Sequence, residues 1–301
     1  MRFWFSPYVL LLITTSSWAG NVIVGRAFHQ DIPPLTLTFW RWGIAGTVML
    51  PFVAHQIWQH RALIRQHWRL LFILAATGVA LFHACLYIAV NTTTAINAGL
   101  LYSLMPIAIP VSSYLMYRER VTGAQVFGIS VAMIGMTIIV MRAELDVLLG
   151  LQFTEGDLWM LGVVASWAVY SPLLKRLPAA LPPMVMLTVI AWLGLLLLLP
   201  FYAWEASTVG GFRLDIPNMA ALLFVGVVGS VVAYLCWNRA VSLIGANRAI
   251  VFIYLIPVFT VFMAIVLLGE EIRIFHVVGT IFICAGILLV MRAGSSAGNT
   301  H

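Results

Sequence analysis

Several side chains able to bind a solute lie inside long apolar stretches of this 301-residue chain. Arg41 stands between Trp40 and Trp42. A guanidinium group can hold a carboxylate by two-point contact, so Arg41 is a candidate substrate contact. Alternatively, the Arg41 side chain extends to the lipid headgroups or bonds to helix-end carbonyls. His83 shares a helix face with Tyr87 and could bind substrate, carry a proton or be a satisfied structural histidine.

Aromatic side chains form the larger part of this candidate site. Trp18 and Trp167 each lie near the middle of an apolar stretch, away from the ends where membrane-interface aromatics concentrate. Aromatic walls suit an apolar or aromatic solute, or a cation, although packed or lipid-facing aromatics are an equal alternative for any single residue. The predicted cavity is completed by Asn21, Tyr102, Tyr170, Tyr234, Trp237, Asn238 and Tyr254.

Composition excludes most other kinds of chemistry. The chain is 62% hydrophobic and only 9% charged, far from the roughly 25% charged residues of soluble domains. We therefore predict neither a soluble enzyme nor a nucleic-acid partner, and we find no zinc-finger, phosphate-loop or HExxH pattern. No metal or cofactor is expected. The three cysteines each lie in an apolar run and do not indicate a disulfide framework.

Ten apolar stretches are long enough to cross a bilayer, which takes about 20 residues in a helix. Since only helices satisfy their backbone groups at that length, the sequence predicts an all-α integral membrane protein. No acid lies well inside any of these stretches, so a carboxylate proton relay is not expected, and uniport and proton antiport both remain open. The predicted spans are 7–25, 35–54, 70–90, 98–117, 124–141, 158–174, 184–204, 219–237, 249–268 and 275–291.

The distribution of Lys and Arg sets the predicted orientation. With the N-terminus in the cytosol, eleven basic residues fall on the cytosolic side and four on the outer side. Both termini are then cytosolic, in agreement with an even number of spans. The acids show the opposite distribution, because only Glu119 falls on the cytosolic side.

The chain also aligns with itself. At an offset of 149, Ser17-Trp18-Ala19 matches Ser166-Trp167-Ala168, and Pro33-Pro34 matches Pro182-Pro183. At an offset of 151, Cys85 matches Cys236. Each half holds five predicted helices, an odd number, so the second half must cross the membrane in the opposite sense. We predict inverted repeats over residues 1–142 and 156–292, followed by a disordered cytosolic tail, 293–301. Inverted repeats are typical of many secondary transporters and of some channels.

Other matched residues have mechanical interpretations. Pro106 and Pro257 are counterparts, and with Pro110 they would kink helices 4 and 9 as gates or as structural bends. Glu119 and Glu270 lie at helix ends, where we expect a structural role rather than proton coupling. The glycines recur seven residues apart on helices 5 and 10, a spacing that allows close packing within the bundle or in a dimer; they are Gly128, Gly135, Gly279 and Gly286.

Two counterpart segments resemble a known signature. Leu104 to Thr122 (LMPIAIPVSSYLMYRERVT) and Leu255 to Ile272 (LIPVFTVFMAIVLLGEEI) are similar to the Leu-x-Pro…Glu-Arg pattern of the drug/metabolite transporter (DMT) superfamily, within it of EamA-type exporters. The resemblance covers essentially the whole chain. The Trp18-Ala19-Gly20-Asn21 stretch also resembles the first-helix motif of that family. The second copy departs from the family pattern at Glu271, where Arg is usual, and at Val169-Tyr170, where Gly-Asn is expected. Among subgroups, the sequence looks most like YddG-type exporters of aromatic and other apolar amino acids.

The resemblance and the residues together predict a secondary transporter rather than an enzyme. We expect it to export small amphipathic metabolites, chiefly aromatic or large apolar amino acids, by alternating access at a central cavity. One alternative is the efflux of lipophilic cations or other drugs. A sugar-phosphate or nucleotide-sugar carrier is a weaker alternative, because such anionic cargo should require several intramembrane cations and the sequence has only Arg41. The expected partners are the small-molecule substrate and the membrane lipids. We expect the protein in the plasma membrane, which is the inner membrane in a bacterium, as a monomer or weak homodimer.

Overall fold

The computed structural model of the protein describes residues 6–28, 31–93, 95–142, 154–268 and 272–296, and all regular structure in these ranges is helical. Nine stretches within them are long and apolar enough to cross a membrane. Large apolar side chains such as Leu115, Phe127 and Phe262 are exposed on the helices, as a lipid-facing surface requires. The prediction of an all-α membrane protein is confirmed.

The first part of the chain consists of eight α-helices and one π-helical segment. They are α1 (Pro7–Ala27), α2 (Pro34–Gln59), α3 (Arg61–Gln66), α4 (Trp68–Ala75), the π-helical segment Ala76–Leu81, α5 (Phe82–Thr92), α6 (Ala95–Tyr102), α7 (Met105–Tyr117) and α8 (Gly123–Val140).

The second part follows the same order. Its elements are α9 (Glu155–Leu173), a 3-10 turn (Leu174–Arg176), α10 (Pro183–Thr208), α11 (Ile216–Leu223), the π-helical segment Phe224–Val232, α12 (Ala233–Ile244), α13 (Ala246–Ala249), a second 3-10 turn (Ile250–Tyr254), α14 (Leu255–Leu268) and α15 (Ile274–Ser296).

Helix α2 contains the predicted second span but is not among the nine apolar stretches. Its Arg41 and its threonine, histidine and glutamine side chains lower its mean hydropathy below that of the nine apolar stretches. The helix begins with Pro34, a residue suited to the first turn. Glu205, buried near the end of α10, accepts hydrogen bonds from the amides of Leu35 (3.0 Å) and Thr36 (2.6 Å). This carboxylate therefore satisfies amides that have no partner within their own helix.

Corresponding elements recur in the two parts of the chain. Helices α2 and α10 both have 26 residues and an internal proline, and their first residues, 34 and 183, differ by 149. The π-helical segment 76–81, shifted by 151, becomes 227–232 and falls within the second π-helical segment, 224–232. The unusual helical geometry thus repeats together with the sequence.

The first helix of each part packs against the other part. Helix α1 contacts α12 and α14, whereas α9 contacts α5 and α7. These two sets of contacts correspond to each other under the sequence offsets, so the centre of the bundle is built from both parts.

Two crossings between corresponding helices need glycine. On α8, a Cβ added to Gly135 would lie 2.5 Å from the carbonyl oxygen of Gly279, and one on Gly128 would lie 2.9 Å from that of Gly286, both on α15. On α2, a Cβ on Gly46 would lie 2.9 Å from the indole nitrogen of Trp192 on α10. Because Gly128 meets Gly286 while Gly135 meets Gly279, α8 and α15 run antiparallel with backbones in close contact.

The predicted fourth and ninth spans are interrupted before their prolines. Ser103 and Leu104 separate α6 from α7, so Pro106 lies in the first turn of α7, where a missing amide proton costs nothing. Pro110 remains inside α7. Pro257 is the third residue of α14 and follows the 3-10 turn. The breaks therefore precede the prolines rather than coinciding with them.

Candidate substrate site

Three tryptophans meet at the centre of the bundle. The Trp18 and Trp167 rings are edge-to-face with centroids 5.4 Å apart, and Trp237 lies 5.5 Å from the first and 5.6 Å from the second. Residues 18 and 167 are counterparts at the offset of 149. Their contact therefore lies where the two parts of the chain join. We call Trp18, Trp167 and Trp237, together with Tyr170 and Tyr234, the aromatic core.

The two tyrosines of the aromatic core are fully buried and hydrogen-bonded. Tyr170 stacks on Trp167 at 5.0 Å and donates its hydroxyl proton to Asn238 Oδ1 at 2.9 Å. Tyr234 donates to the carbonyl oxygen of Gly78 at 2.9 Å. These bonds fix the ring planes, because a buried tyrosine hydroxyl needs a partner.

Glycine allows close approach at two corresponding points. A Cβ on Gly78 would overlap the ring of Tyr170, and one on Gly229 would overlap the side-chain amide of Asn21. Residues 78 and 229 are counterparts, as are 21 and 170. The same backbone position thus receives a small amide in one part and a tyrosine ring in the other, so the two halves of the site differ chemically.

Replacing Gly229 by alanine is expected to displace Asn21. We predict a loss of about 1–3 kcal/mol in unfolding free energy, as for other overpacked sites, and a several-fold fall in transport. Gly25→Ala is the matched control, since nothing lies within 4 Å of a Cβ there. The measurements are thermal unfolding in detergent and flux in liposomes; equal behaviour of both variants would contradict the prediction.

Arg41 is buried, with 7% of its surface exposed. Its Nε donates to Ser230 Oγ at 2.6 Å and its Nη2 to the carbonyl oxygen of Gly229 at 3.2 Å. Both acceptors lie in the second π-helical segment and are neutral. Among the described residues, no carboxylate lies within ion-pairing distance of this guanidinium. Arg41 thus contributes an uncompensated positive charge beside the aromatic core.

His83, Tyr102 and Tyr254 lie around the same region. His83 Nδ1 donates to the carbonyl oxygen of Val79 at 2.8 Å, which leaves Nε2 as an acceptor in the neutral ring. Tyr254 donates to the carbonyl oxygen of Ser103 at 2.8 Å, while Tyr102 is half-buried. The side chain of Tyr87 lies outside the described part of the chain.

Several buried donors in this region have no hydrogen-bond partner among the described residues. They include the indole nitrogens of Trp42, Trp167 and Trp237 and the amide nitrogen of Asn238. The carbonyl oxygen Asn21 Oδ1 is likewise without a partner. Unpaired buried polar groups are costly, and at a binding site a ligand can supply the partner.

A cavity of about 1070 Å³ opens beside the aromatic core. Among the residues predicted to form a cavity, Asn238 lines it, next to Trp237 of the core. Four basic side chains also line it, all from segments assigned above to the cytosolic side: Arg120, Lys175, Arg239 and Arg248. We call this space the basic cavity.

Among the described residues that line the basic cavity, one is acidic: Glu119, which is paired with Lys175 and accepts a hydrogen bond from Ser113. Burial acts against the charged carboxylate, but the bonds from Lys175 and Ser113 outweigh it, so the pKa of Glu119 lies below its usual value. Its negative charge is therefore cancelled at neutral pH. Glu270, its predicted counterpart, lies outside the described residues.

The pKa of Glu119 is lowered in the folded protein. The Glu119–Lys175 pair therefore stabilises the fold fully at pH values above the ordinary glutamate pKa of about 4.3, and this stabilisation is lost as the pH falls through the lowered pKa. Glu119 and Lys175 are each about one-third exposed, so we expect Glu119→Gln to cost at most about 1 kcal/mol at pH 7 and less than that at pH 3. Thermal unfolding at both pH values measures this. A double variant with Lys175→Gln should be no less stable than Glu119→Gln alone.

The two hydrogen bonds of Arg41 and the lining of the basic cavity were not anticipated from the sequence. Ser230 and Gly229 bind Arg41 across 189 and 188 residues of chain, and no local pattern links them. Arg239 and Arg248 appear in the sequence only as markers of orientation. Their convergence on one cavity depends on how α12 and α13 pack, which spacing alone does not give.

Comparison with known proteins agrees with this architecture. A model of the "EamA-like transporter family" matches twice, at residues 5–141 and 154–292. The "Uncharacterized transporter YyaM" of Bacillus subtilis is 25% identical over 281 residues, covering 93% of this chain and 92% of that protein. The "Probable terminal-alkyne amino-acid exporter" of Streptantibioticus cattleyicolor is 24% identical over 282 residues, covering 94% and 92%.

A solved structure shares the fold. It superposes with a TM-score of 0.78 at 18% sequence identity and covers 97% of this chain and 98% of its own. The family match spans almost the whole described chain and agrees with the apolar helices and with the transporter names of the relatives. The chain therefore belongs to the EamA-like transporter family of the DMT superfamily, and it is a multi-pass plasma-membrane transporter rather than an enzyme.

Proposed function

We propose that this transporter exports small amphipathic metabolites, above all amino acids with large apolar or aromatic side chains. The observation that carries the proposal is the aromatic core at the junction of the two parts of the chain, with Asn238 joining it to the basic cavity. The tryptophan faces offer an apolar wall. The unpaired indole and amide donors offer hydrogen bonds to a carboxylate.

The architecture of the proposal is two inverted repeats, 1–142 and 156–292, giving ten spans with both termini in the cytosol. Its support is the antiparallel crossing of α8 with α15 and the repeated helix boundaries. Two equivalent, oppositely oriented units can exchange conformations, which opens a central site to one side at a time.

In this proposal the structure represents a state open toward the cytosol. The basic cavity reaches Asn238 from the side with most Lys and Arg, where positive charge marks the cytosolic face. On the other side of the aromatic core, Arg41 and Asn21 both donate to the carbonyl oxygen of Gly229. We infer that these bonds close the outer half of the pathway and break when the outer side opens.

The proposal is tested by uptake into liposomes containing purified protein. Labelled phenylalanine, threonine, a lipophilic dication and a sugar phosphate are compared, with and without a pH gradient. We expect saturable phenylalanine uptake that exceeds uptake of the others, and dependence on the gradient would indicate proton antiport rather than uniport. Transport of the dication alone would replace the proposal by drug efflux, and transport of the sugar phosphate alone would identify an organophosphate carrier.

A further inference from the structure

We propose that the site recognises the carboxylate of its cargo and not the ammonium group, so that amphipathic carboxylates without a free amine are carried at least as well as amino acids. The cargo class is then an organic monoanion with an apolar body, such as an N-acyl amino acid. This inference rests on the proposed function, because it concerns the head group bound at the same site.

Positive side chains line the route to Asn238. A solute entering through the basic cavity passes Arg120 and Arg239, and Glu119, the only acid among the described residues that line the cavity, is paired with Lys175. Arg41 is also buried, and its hydrogen-bond acceptors among the described residues, Ser230 Oγ and the carbonyl oxygen of Gly229, are neutral. Each of these charges attracts an anion and repels a cation, and a cavity with low-dielectric walls strengthens the effect.

The hydrogen-bonding groups of the aromatic core left without a partner in the described part of the chain are largely donors. Indole nitrogens donate only, and those of Trp167 and Trp237 have no partner among the described residues. Asn238 uses its oxygen to accept from Tyr170, so its unpaired amide nitrogen also points to an acceptor. The carbonyl oxygen of Gly78 is occupied by Tyr234.

The acceptors available to an ammonium group among the described residues are all neutral. They are Asn21 Oδ1, Ser171 Oγ, the Nε2 atom of His83 and, in the lining of the basic cavity, Asn247 Oδ1. An ammonium group therefore finds neutral acceptors and ring faces but no negative charge, whereas a carboxylate finds both donors and positive charge. Donors and charge, which are independent observations, both favour the anion.

Leucine and two analogues with the same apolar body test the inference. N-acetyl-leucine retains the carboxylate without the ammonium group, and 3-methylbutylamine retains the ammonium group without the carboxylate. Each is used to inhibit labelled phenylalanine uptake into liposomes and, separately, to change the tryptophan fluorescence of the purified protein. We expect half-maximal effects of N-acetyl-leucine at a concentration no higher than for leucine and about tenfold lower than for the amine.

Arg239→Gln is expected to raise several-fold the concentration of N-acetyl-leucine that gives a half-maximal effect. The corresponding concentration of the amine should stay unchanged or fall. Arg65→Gln, an exposed arginine of α3 that does not line the cavity, should change neither. An amine that acts at the same or a lower concentration than N-acetyl-leucine would overturn the inference. If phenylalanine is not carried but the fluorescence ranking is as expected, the amino-acid proposal fails and the head-group inference stands.

Discussion

Replacing Trp167 by alanine is expected to reduce transport more than tenfold. The Trp167 ring is 2% exposed and contacts Trp18, Trp237 and Tyr170 at centroid distances of 5.4, 5.6 and 5.0 Å. Its removal eliminates the wall shared by both parts of the chain and leaves a cavity. Truncation of a buried tryptophan costs about 3–5 kcal/mol, so the unfolding temperature should fall as well.

Two variants separate the loss of the wall from the loss of stability. Trp167→Phe keeps an aromatic face and should retain much of the flux, although it removes the indole donor. Trp204→Ala removes a tryptophan that is 63% exposed, and it should leave both flux and stability near the wild-type values. Wild-type flux in a folded Trp167→Ala protein would contradict the assignment of the aromatic core.

Replacing Gly135 by leucine is expected to destabilise the protein by forcing two helices apart. A Cβ at this position would lie 2.5 Å from the carbonyl oxygen of Gly279 and 2.8 Å from the amide nitrogen of Ile283. Backbone atoms cannot move aside as a flexible side chain can, so α8 and α15 must separate. Overpacking of this kind costs about 1–3 kcal/mol even for small additions, and we expect the unfolding temperature to fall by at least about 5 °C.

Alanine variants provide the graded comparison. Gly135→Ala should lower the unfolding temperature less than Gly135→Leu does, and Gly123→Ala, at the open start of α8, should not lower it, because nothing lies within 4 Å of a Cβ there. A Gly135→Leu protein as stable as Gly123→Ala would show that the two helices do not cross at these glycines.

The sequence predicts the helices because apolar length and proline position are local properties. It also indicates the duplication, whose offset of 149 pairs Trp18 with Trp167, two residues whose rings lie in contact. The seven-residue glycine spacing predicts a close crossing but not the partner helix. The reciprocal contacts of Gly128 and Gly135 become visible only when α15 is placed beside α8.

The polar part of the site is harder to predict from sequence. Arg41 is conspicuous in the sequence, but its partners depend on the π-helical segment 224–232, where Ser230 bonds back to Val225, five residues earlier. A single apolar run does not distinguish a π-helical from an α-helical backbone. The basic cavity likewise arises from residues brought together by packing, each of which alone indicates only membrane orientation.

We propose that the aromatic core is a carrier site reached from one side of the membrane at a time. Counterflow tests it most directly: liposomes preloaded with unlabelled phenylalanine receive labelled phenylalanine outside. We predict transient accumulation of label above its equilibrium level, saturable with outside concentration and absent in Trp167→Ala. Uptake that rises linearly with concentration and is indifferent to the internal phenylalanine would contradict the account and indicate a channel.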